Sequence, residues 1–462
     1  MSPLLLQAGP RAATDRPNIL LLFADDLGYG ELGCQGNPEI PTPHIDSIAQ
    51  NGVRFTQGYV TAPVCAPSRA GLLSGRNQRR FGWDINVMPH VEGGSEHGIP
   101  ATETTLAEYL KALGYRTGII GKWHLGARRD FNPLNHGFDS FFGFAHEGHY
   151  FVPPPYAGVS TLLRKKPLPD GHTGRWSSPE RPLIYHDILG NEPLYDLHNP
   201  ILRGFDPVDE PRYLTDAFTD EGVAFLRAHQ DQPFFLFMSY NAVHSPLQGA
   251  DAYMKKMEAI PDIHRRIFAA MLANLDDSIG TLLATLRTLE LERNTWVIFL
   301  SDNGGPTREL TSSNLPLKDG KGRLAEGGIR IPFMMQWPGQ LPAGMVYEPP
   351  VISLDIYATA GALAGKPVDP KWADGVDLMP YLRGDRTGAP HEQLWWEYRK
   401  GGALREGPWK IVREPRAKKW ALYNLDDDIG EETNLAAAQP ERLARMQAAW
   451  EATQQDVNVS VR

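Results

Sequence analysis

The chain has 462 residues, 42% hydrophobic and 22% charged, which is enough for one large core with a smaller unit appended and excludes a disordered or fibrous protein. A formal net charge of −9 argues against a nucleic-acid binder, which needs a basic surface to displace counterions, so an anionic ligand has to be held by local cations. The two cysteines, Cys34 and Cys65, give no disulfide framework.

In residues 1–16 the only apolar core is Leu4-Leu5-Leu6, too short for the apolar region of a signal peptide, and the stretch reads as a leader or disordered segment. No run elsewhere reads as a transmembrane span, so no membrane partner is expected. A periplasmic or secreted location is expected if a signal peptide has been removed, and a cytoplasmic one otherwise.

Residues 18–24 are a continuous apolar run, the pattern of a strand buried on both faces of a mostly parallel sheet, and the run stops at Asp25-Asp26. Neighbouring strand side chains point to opposite faces, so both carboxylates reach one ion only where the chain turns. Gly28 and Gly30 are expected to supply that freedom. Next comes Cys65-Ala66-Pro67-Ser68-Arg69. Pro67 lacks an N–H and fixes its own φ, so it suits the first turn of a helix that continues through Ala70-Gly71-Leu72-Leu73. Cys65 then sits at a helix N-terminus, where unsatisfied N–H groups favour negative charge, and Arg69 adds a cation one turn on.

A second run, residues 115–121, leads to Lys122-Trp123-His124, and residues 136–143 read as a turn and strand. From 146 to 212 no helical or strand period is sustained. Long irregular segments in compact enzymes are often active-site loops, and this one, with Arg164-Lys165-Lys166, Arg175-Trp176 and scattered tyrosines, is expected to govern substrate choice. Residues 216–227 and 263–289 carry helical apolar spacing. Between them the strand 234–240 leads to Asn241 and His244, and after them the strand 295–301 ends in Asp302-Asn303. Four strands that deliver polar residues to their carboxyl ends predict one shared crevice. The oxygen-only set Asp25, Asp26, Asp302 and Asn303 implies a hard cation, Ca2+ or Mg2+ rather than zinc, with Ca2+ favoured by the flexible, carboxylate-rich set.

Residues 354–363 read as a helix and 366–377 as the passage into a C-terminal subdomain. There, 395–398, 402–404, 409–413 and 420–424 suggest a small antiparallel sheet, and 440–450 a helix with Leu443, Met446 and Trp450 on one face. The expected fold is α/β. A large, mostly parallel central sheet flanked by helices occupies residues 17–365, and a smaller antiparallel sheet plus helix occupies 366–462.

The Cys65 to Arg69 string resembles the Cys-x-Pro-Ser-Arg signature of the type I, formylglycine-dependent sulfatases of the alkaline phosphatase superfamily. Segments 136–143, 403–410 and 422–425 resemble the same family, and the likeness runs from about Pro17 to Trp450. The resemblance implies that a formylglycine-generating enzyme oxidises Cys65 to an aldehyde, whose hydrate attacks the sulfur of a sulfate ester. It implies that Asp25, Asp26, Asp302 and Asn303 hold the metal with the modified Cys65 completing the shell. In the same pattern Lys122 and Lys321 bind sulfate oxygens, Arg69 holds the diol, and His124 is the base that deprotonates its second hydroxyl to release sulfate. His244, with Lys321, is the acid for the leaving oxygen. Lys321 is preferred to Lys318 because Gly320-Lys321-Gly322 and the Glu326-Gly327-Gly328-Ile329-Arg330-Ile331-Pro332 run match the family pattern, so Lys318 is expected to be a solvated charge. Ser74 stands where many relatives carry threonine, and Val243 where many carry proline. Glu147 and His149 fall near an additional substrate contact of the family. The expected activity is hydrolysis of a sulfate monoester, on a sulfated carbohydrate or small molecule. A phosphate or phosphonate ester hydrolase and a non-catalytic binder of sulfated glycans are the alternatives.

Overall fold

The apolar run at residues 18–24 becomes strand β1 (Asn18–Ala24), which is buried throughout because alternate residues feed two different cores. Leu20, Leu22 and Ala24 pack on one side of the sheet, and Ile19, Leu21 and Phe23 on the other. Each such buried Leu, Ile or Phe stabilises the fold by about 1.5–3 kcal/mol relative to exposure. The computed structural model describes residues 16–86, 97–193, 195 and 199–459, so the leader expected over 1–16 lies outside the described residues except for Arg16.

Among the described residues the central sheet has ten strands. After β1 these are β2 (Val53–Phe55), β3 (Arg116–Lys122), β4 (Ser140–Phe144), β5 (Leu202–Arg203), β6 (Asp206–Pro207), β7 (Phe234–Ser239), β8 (Thr295–Ser301), β9 (Phe333–Gln336) and β10 (Met345–Tyr347). Their order is β6-β5-β4-β3-β7-β1-β8-β9-β2-β10. The run β4-β3-β7-β1-β8 is parallel. Ala24 lies opposite Ser301, Phe23 opposite Ser239, and Ser239 opposite Gly121, so four strands finish level at one edge. Helix α1 (Cys65–Ser74) packs Ala66, Ala70, Leu72 and Leu73 on the Phe23 side. Helices α2 (Leu214–Ala228) and α3 (Ile263–Thr288) cover the Leu22 side, and α4 (Asp355–Leu363) returns to the first. By length and composition α3 could cross a membrane, which the sequence reading did not anticipate. Its apolar window is 83% buried, since it packs on the sheet.

Residues 146–212 depart from expectation. Besides β5 and β6 they hold three short strands, Val159–Arg164, Arg175–Ser177 and Leu183–His186, that join Leu247–Ala250 in a second, four-stranded sheet. Strands of three to six residues separated by Pro- and Gly-containing turns are too short to set up a recognisable period, and the fourth strand comes from far along the chain.

At the C-terminal end, Gln393–Tyr398, Gly401–Glu406, Trp409–Arg413 and Ala421–Asn424 form an antiparallel sheet. Alternation again divides its faces. Trp395, Leu404, Ile411 and Leu422 meet Met446, Trp450 and Val457 of helix α5 (Pro440–Val459), which runs beyond the expected end at residue 450. Trp396, Ala403, Val412 and Tyr423 face Tyr59, Val64, Leu324 and Ile329 next to the strand ends of the main sheet. This places the small sheet against the loops that follow β8.

Candidate active site

Asp25 and Asp26 follow β1 directly, and the turn that brings them together is made by Asp26 itself, at φ 62°. Gly28 and Gly30, expected to provide the conformational freedom, have φ −68° and −87°. Their role is close approach instead. A Cβ on Gly28 would lie 2.2 Å from the Ser313 carbonyl oxygen, and one on Gly30 would lie 2.6 Å from that of Leu315. His124, two residues beyond β3, also has positive φ, 59°. Such a backbone costs on the order of 1–3 kcal/mol per residue and persists only where the surroundings enforce it. Here Asp25 N–H donates to Ala242 O at 3.0 Å, Asp26 N–H to Asp302 Oδ1 at 3.1 Å, and His124 N–H to Ala145 O at 3.0 Å.

Cys65 is the first residue of α1, fully buried, with Sγ 3.6 Å from Asp25 Oδ1 and 4.0 Å from Asp26 Oδ1. Lys122 Nζ donates to Asp25 Oδ2 at 2.7 Å, and Lys321 Nζ to Asp26 Oδ2 at 2.7 Å. Arg69 reaches from α1 to three strand ends. Its Nε and Nη2 donate to Asp302 Oδ2 at 3.1 and 2.9 Å, and its Nη1 donates to Ser239 Oγ at 2.6 Å and Lys122 O at 3.3 Å. His244 Nδ1 contacts the Ser245 carbonyl at 2.6 Å, which leaves Nε2 facing Asp26 Oδ2 at 3.5 Å.

The structure therefore gathers Asp25, Asp26, Cys65, Arg69, Lys122, His244, Asp302 and the half-buried Lys321 into one cluster at the sheet edge; Asn303 reaches Asp26, and His124 is buried two residues beyond Lys122. Lys318 is exposed, as expected, and its Nζ turns away to the Glu431 carbonyl.

Three carboxyl groups, Asp25, Asp26 and Asp302, face three cations, Arg69, Lys122 and Lys321. Burial and the Asp302 charge push Asp25 up to about 8, although Lys122 and Arg69 oppose this. Asp302 is brought down because Arg69 and Lys122 outweigh its burial. Burial, then Asp302, hold the Cys65 thiol well above its ordinary value, so an unmodified cysteine is neutral here and a poor nucleophile. Burial with Lys321 and Lys122 nearby pushes His244 well below the usual imidazole range.

The donor set suits a hard divalent cation. The ligand atoms of Asp25, Asp26, Cys65 and His244 lie within 4.8 Å of one another. Asn303 spends its Nδ2 on Asp26 Oδ1 at 2.7 Å and Gly304 O at 2.9 Å, while its buried Oδ1 has no hydrogen-bond partner. An orphaned amide oxygen and a carboxyl held above its ordinary value are what an added cation would relieve. Asp302 stands beside that group, with Oδ2 committed to Arg69.

Ser239, Ser245 and Glu309 went unrecognised in the sequence, whereas Arg164 belongs to the segment expected to govern substrate choice. Ser239 bridges Arg69 and Lys122 O, and its only signal is its place at a strand end. Ser245 Oγ donates to Glu309 Oε1 at 2.9 Å, Arg164 lies 3.8 Å from the same oxygen, and Arg164 also donates to Glu192 and Tyr195. These residues come from distant parts of the chain and carry no spacing that links them. Of the pair expected near substrate, Glu147 is half-buried, whereas His149 is buried with its ring 5.6 Å from that of Phe144.

The family model described as Sulfatase matches residues 17–366. Human arylsulfatase A is 34% identical over 96% of this chain and 88% of its own length. The N-acetylgalactosamine-6-sulfatase of Sus scrofa is 31% identical over 94% of this chain and 84% of its own. Among solved structures, Ps i-CgsB in complex with k-i-k-neocarrahexaose superposes with a TM-score of 0.82 at 31% identity, covering 96% of this chain and 93% of that one.

Proposed function

The chain belongs to the sulfatase family and is a sulfuric ester hydrolase, and we propose that it cleaves a sulfate monoester of a carbohydrate at the Cys65 cluster with bound Ca2+. The observation that carries this reading is the position of Cys65, whose Sγ lies 3.6 Å from Asp25 at a buried helix N-terminus, with Lys122 and Lys321 on the same two carboxylates. The family implies a metal ion and formylglycine at this cysteine. The hydrated aldehyde would supply the attacking hydroxyl, and the ion would supply Lewis-acid polarisation of the sulfate oxygens. Asp25, Asp26, Asp302 and Asn303 would hold that ion.

The chain's own groups divide the remaining work. A divalent ion that displaces the Asp25 proton would meet three carboxylates and three cations and leave a net positive cavity, which suits a tetrahedral anion. Lys122 and Lys321 bind the sulfate oxygens. Arg69 fixes Asp302 and Asp25 and places its charge beside Cys65, as its hydrogen bonds support. His124 takes the proton from the Cys65-derived group that allows sulfate to leave. His244, with Lys321, supplies the proton for the departing sugar oxygen: Nε2 is the nitrogen left to face it because Nδ1 is tied to the Ser245 carbonyl, and since the resting imidazole is neutral with its proton on Nδ1, Nε2 has to take up a proton as the anionic substrate binds. A sulfated carbohydrate is the substrate best supported, since one relative is named for an amino-sugar sulfate and a structural relative was crystallised with an oligosaccharide. A formylglycine-generating enzyme is the expected maturation partner. Replacing Cys65 by Ala is expected to abolish sulfate release with an unchanged melting temperature, and full activity in that variant would overturn the reading.

A further inference from the structure

Lys321 is carried by the loop after β8, which is tied on the main-sheet side by Asn314 Nδ2 on Asp319 O at 3.0 Å and by the Lys321 contact with Asp26. Its own N–H reaches Gly305 O at 3.4 Å, and Gly322 N–H reaches Pro63 O at 2.8 Å. A second set of attachments comes from the C-terminal sheet and the loop that follows it. Glu414, at the end of strand Trp409–Arg413, accepts both Leu324 N–H and Ala325 N–H on Oε1 at 2.9 and 2.8 Å. Glu431 accepts Glu326 N–H on Oε2 at 2.6 Å, and its carbonyl accepts Lys318 Nζ at 2.6 Å. Lys410, in the same strand, has Nζ 2.8 Å from Glu326 Oε1 and 2.9 Å from Glu431 Oε1. Glu326, Lys410 and Glu431 are fully buried.

A buried lysine bridging two buried carboxylates fixes geometry strongly, because each charge is desolvated and has no alternative partner in water. The 324–326 end of the Lys321 loop is therefore held by the Glu414 and Glu431 side chains and its other end by Lys318 Nζ on the Glu431 carbonyl, all groups of the C-terminal unit that contribute nothing to the carboxylate cluster itself. Tyr59 extends the lock toward the Cys65 side, since its hydroxyl donates to Glu326 Oε2 at 2.6 Å and receives Arg405 Nη1.

We propose that the C-terminal sheet is part of the catalytic apparatus, with Lys410 and Glu414 acting as positioning residues that hold the 318–326 loop so that Lys321 meets the sulfate group. This rests on the assignment of Lys321 to sulfate made above, and the test separates the two. Lys321→Ala, Lys410→Met, Glu414→Ala and the doubles of Lys321→Ala with each of the other two are compared by kcat/KM on an aryl sulfate, by the inhibition constant of inorganic sulfate, and by melting temperature. Lys410→Met and Glu414→Ala are expected to lower kcat/KM and weaken sulfate inhibition by roughly 10-fold. In the Lys321→Ala background the same changes are expected to shift kcat/KM by less than about 2-fold, since a residue acting through Lys321 loses its effect with it. Glu414→Ala leaves the buried Lys410 pair intact and keeps the test sound if Lys410→Met does not fold. Equal losses in both backgrounds, or no loss in either, would overturn the positioning role. If Lys321→Ala alone leaves kcat/KM and sulfate inhibition unchanged, it is the reading of Lys321 that fails.

Discussion

Lys122 Nζ lies 2.7 Å from Asp25 Oδ2 with neither side chain exposed to solvent, the end of one parallel strand touching the end of another across β7. Lys321 and Asp26 make the same contact at the same distance. The two lysines proposed to bind sulfate are thus held in place by carboxylates that also suit a divalent cation. Near neutral pH Asp25 holds a proton that an entering cation would displace, and the three carboxylates then balance the charges of Arg69, Lys122 and Lys321.

That balance makes metal binding visible as stability. Ca2+ added to chelator-treated protein at about 100 times its dissociation constant is expected to stabilise the fold by about 2.7 kcal/mol, read as a rise in melting temperature. Asp26→Asn, which removes one charge of the proposed metal set and the Lys321 partner, is expected to abolish most of the rise. An unchanged rise in that variant would place the ion elsewhere.

The His244 geometry predicts a dependence on leaving group. With Nδ1 tied to Ser245 O, only Nε2 can serve a departing oxygen. His244→Ala should lower kcat/KM by about 10²–10⁴-fold on a sugar sulfate, whose alkoxide needs a proton, and much less on a nitrophenyl sulfate. Equal losses on both substrates would argue against proton donation.

How much of this was legible beforehand depended on range. The four apolar runs, each buried on two faces, announced their own ends, so Asp25, Asp26, Lys122, His124, His244, Asp302 and Asn303 could be assembled without coordinates. The Cys65 helix start was equally local. Turn chemistry was misjudged at Asp26, because glycines nearby looked like the hinge when the packing of Ser313 against Gly28 was the actual constraint. The Glu309, Ser245 and Arg164 group and the Lys410 bridge were invisible, since each joins segments far apart in the chain that no periodicity links.

A histidine away from the site gives a pH prediction. His391 Nε2 lies 2.8 and 3.0 Å from the two oxygens of Asp355, the first residue of α4. Burial alone would lower its pKa, but the Asp355 charge and hydrogen bonds overcome this and raise it above 6.5. The folded state therefore prefers protonated His391. Its stabilisation is complete below the unfolded value and is lost as pH rises through the higher folded one. Urea unfolding of His391→Gln is expected to lack this decline between neutral and mildly alkaline pH; an identical pH profile would rule out the pair as its source.

The central claim is that Cys65 is the precursor of the nucleophile, and the mass of the proteolytic peptide spanning Cys65 tests it most directly, using active protein produced alongside a formylglycine-generating enzyme. The account predicts the aldehyde, with the thiol sulfur replaced by oxygen and two hydrogens lost, at an occupancy that tracks specific activity across preparations. An unmodified thiol in protein that releases sulfate at full rate would contradict it.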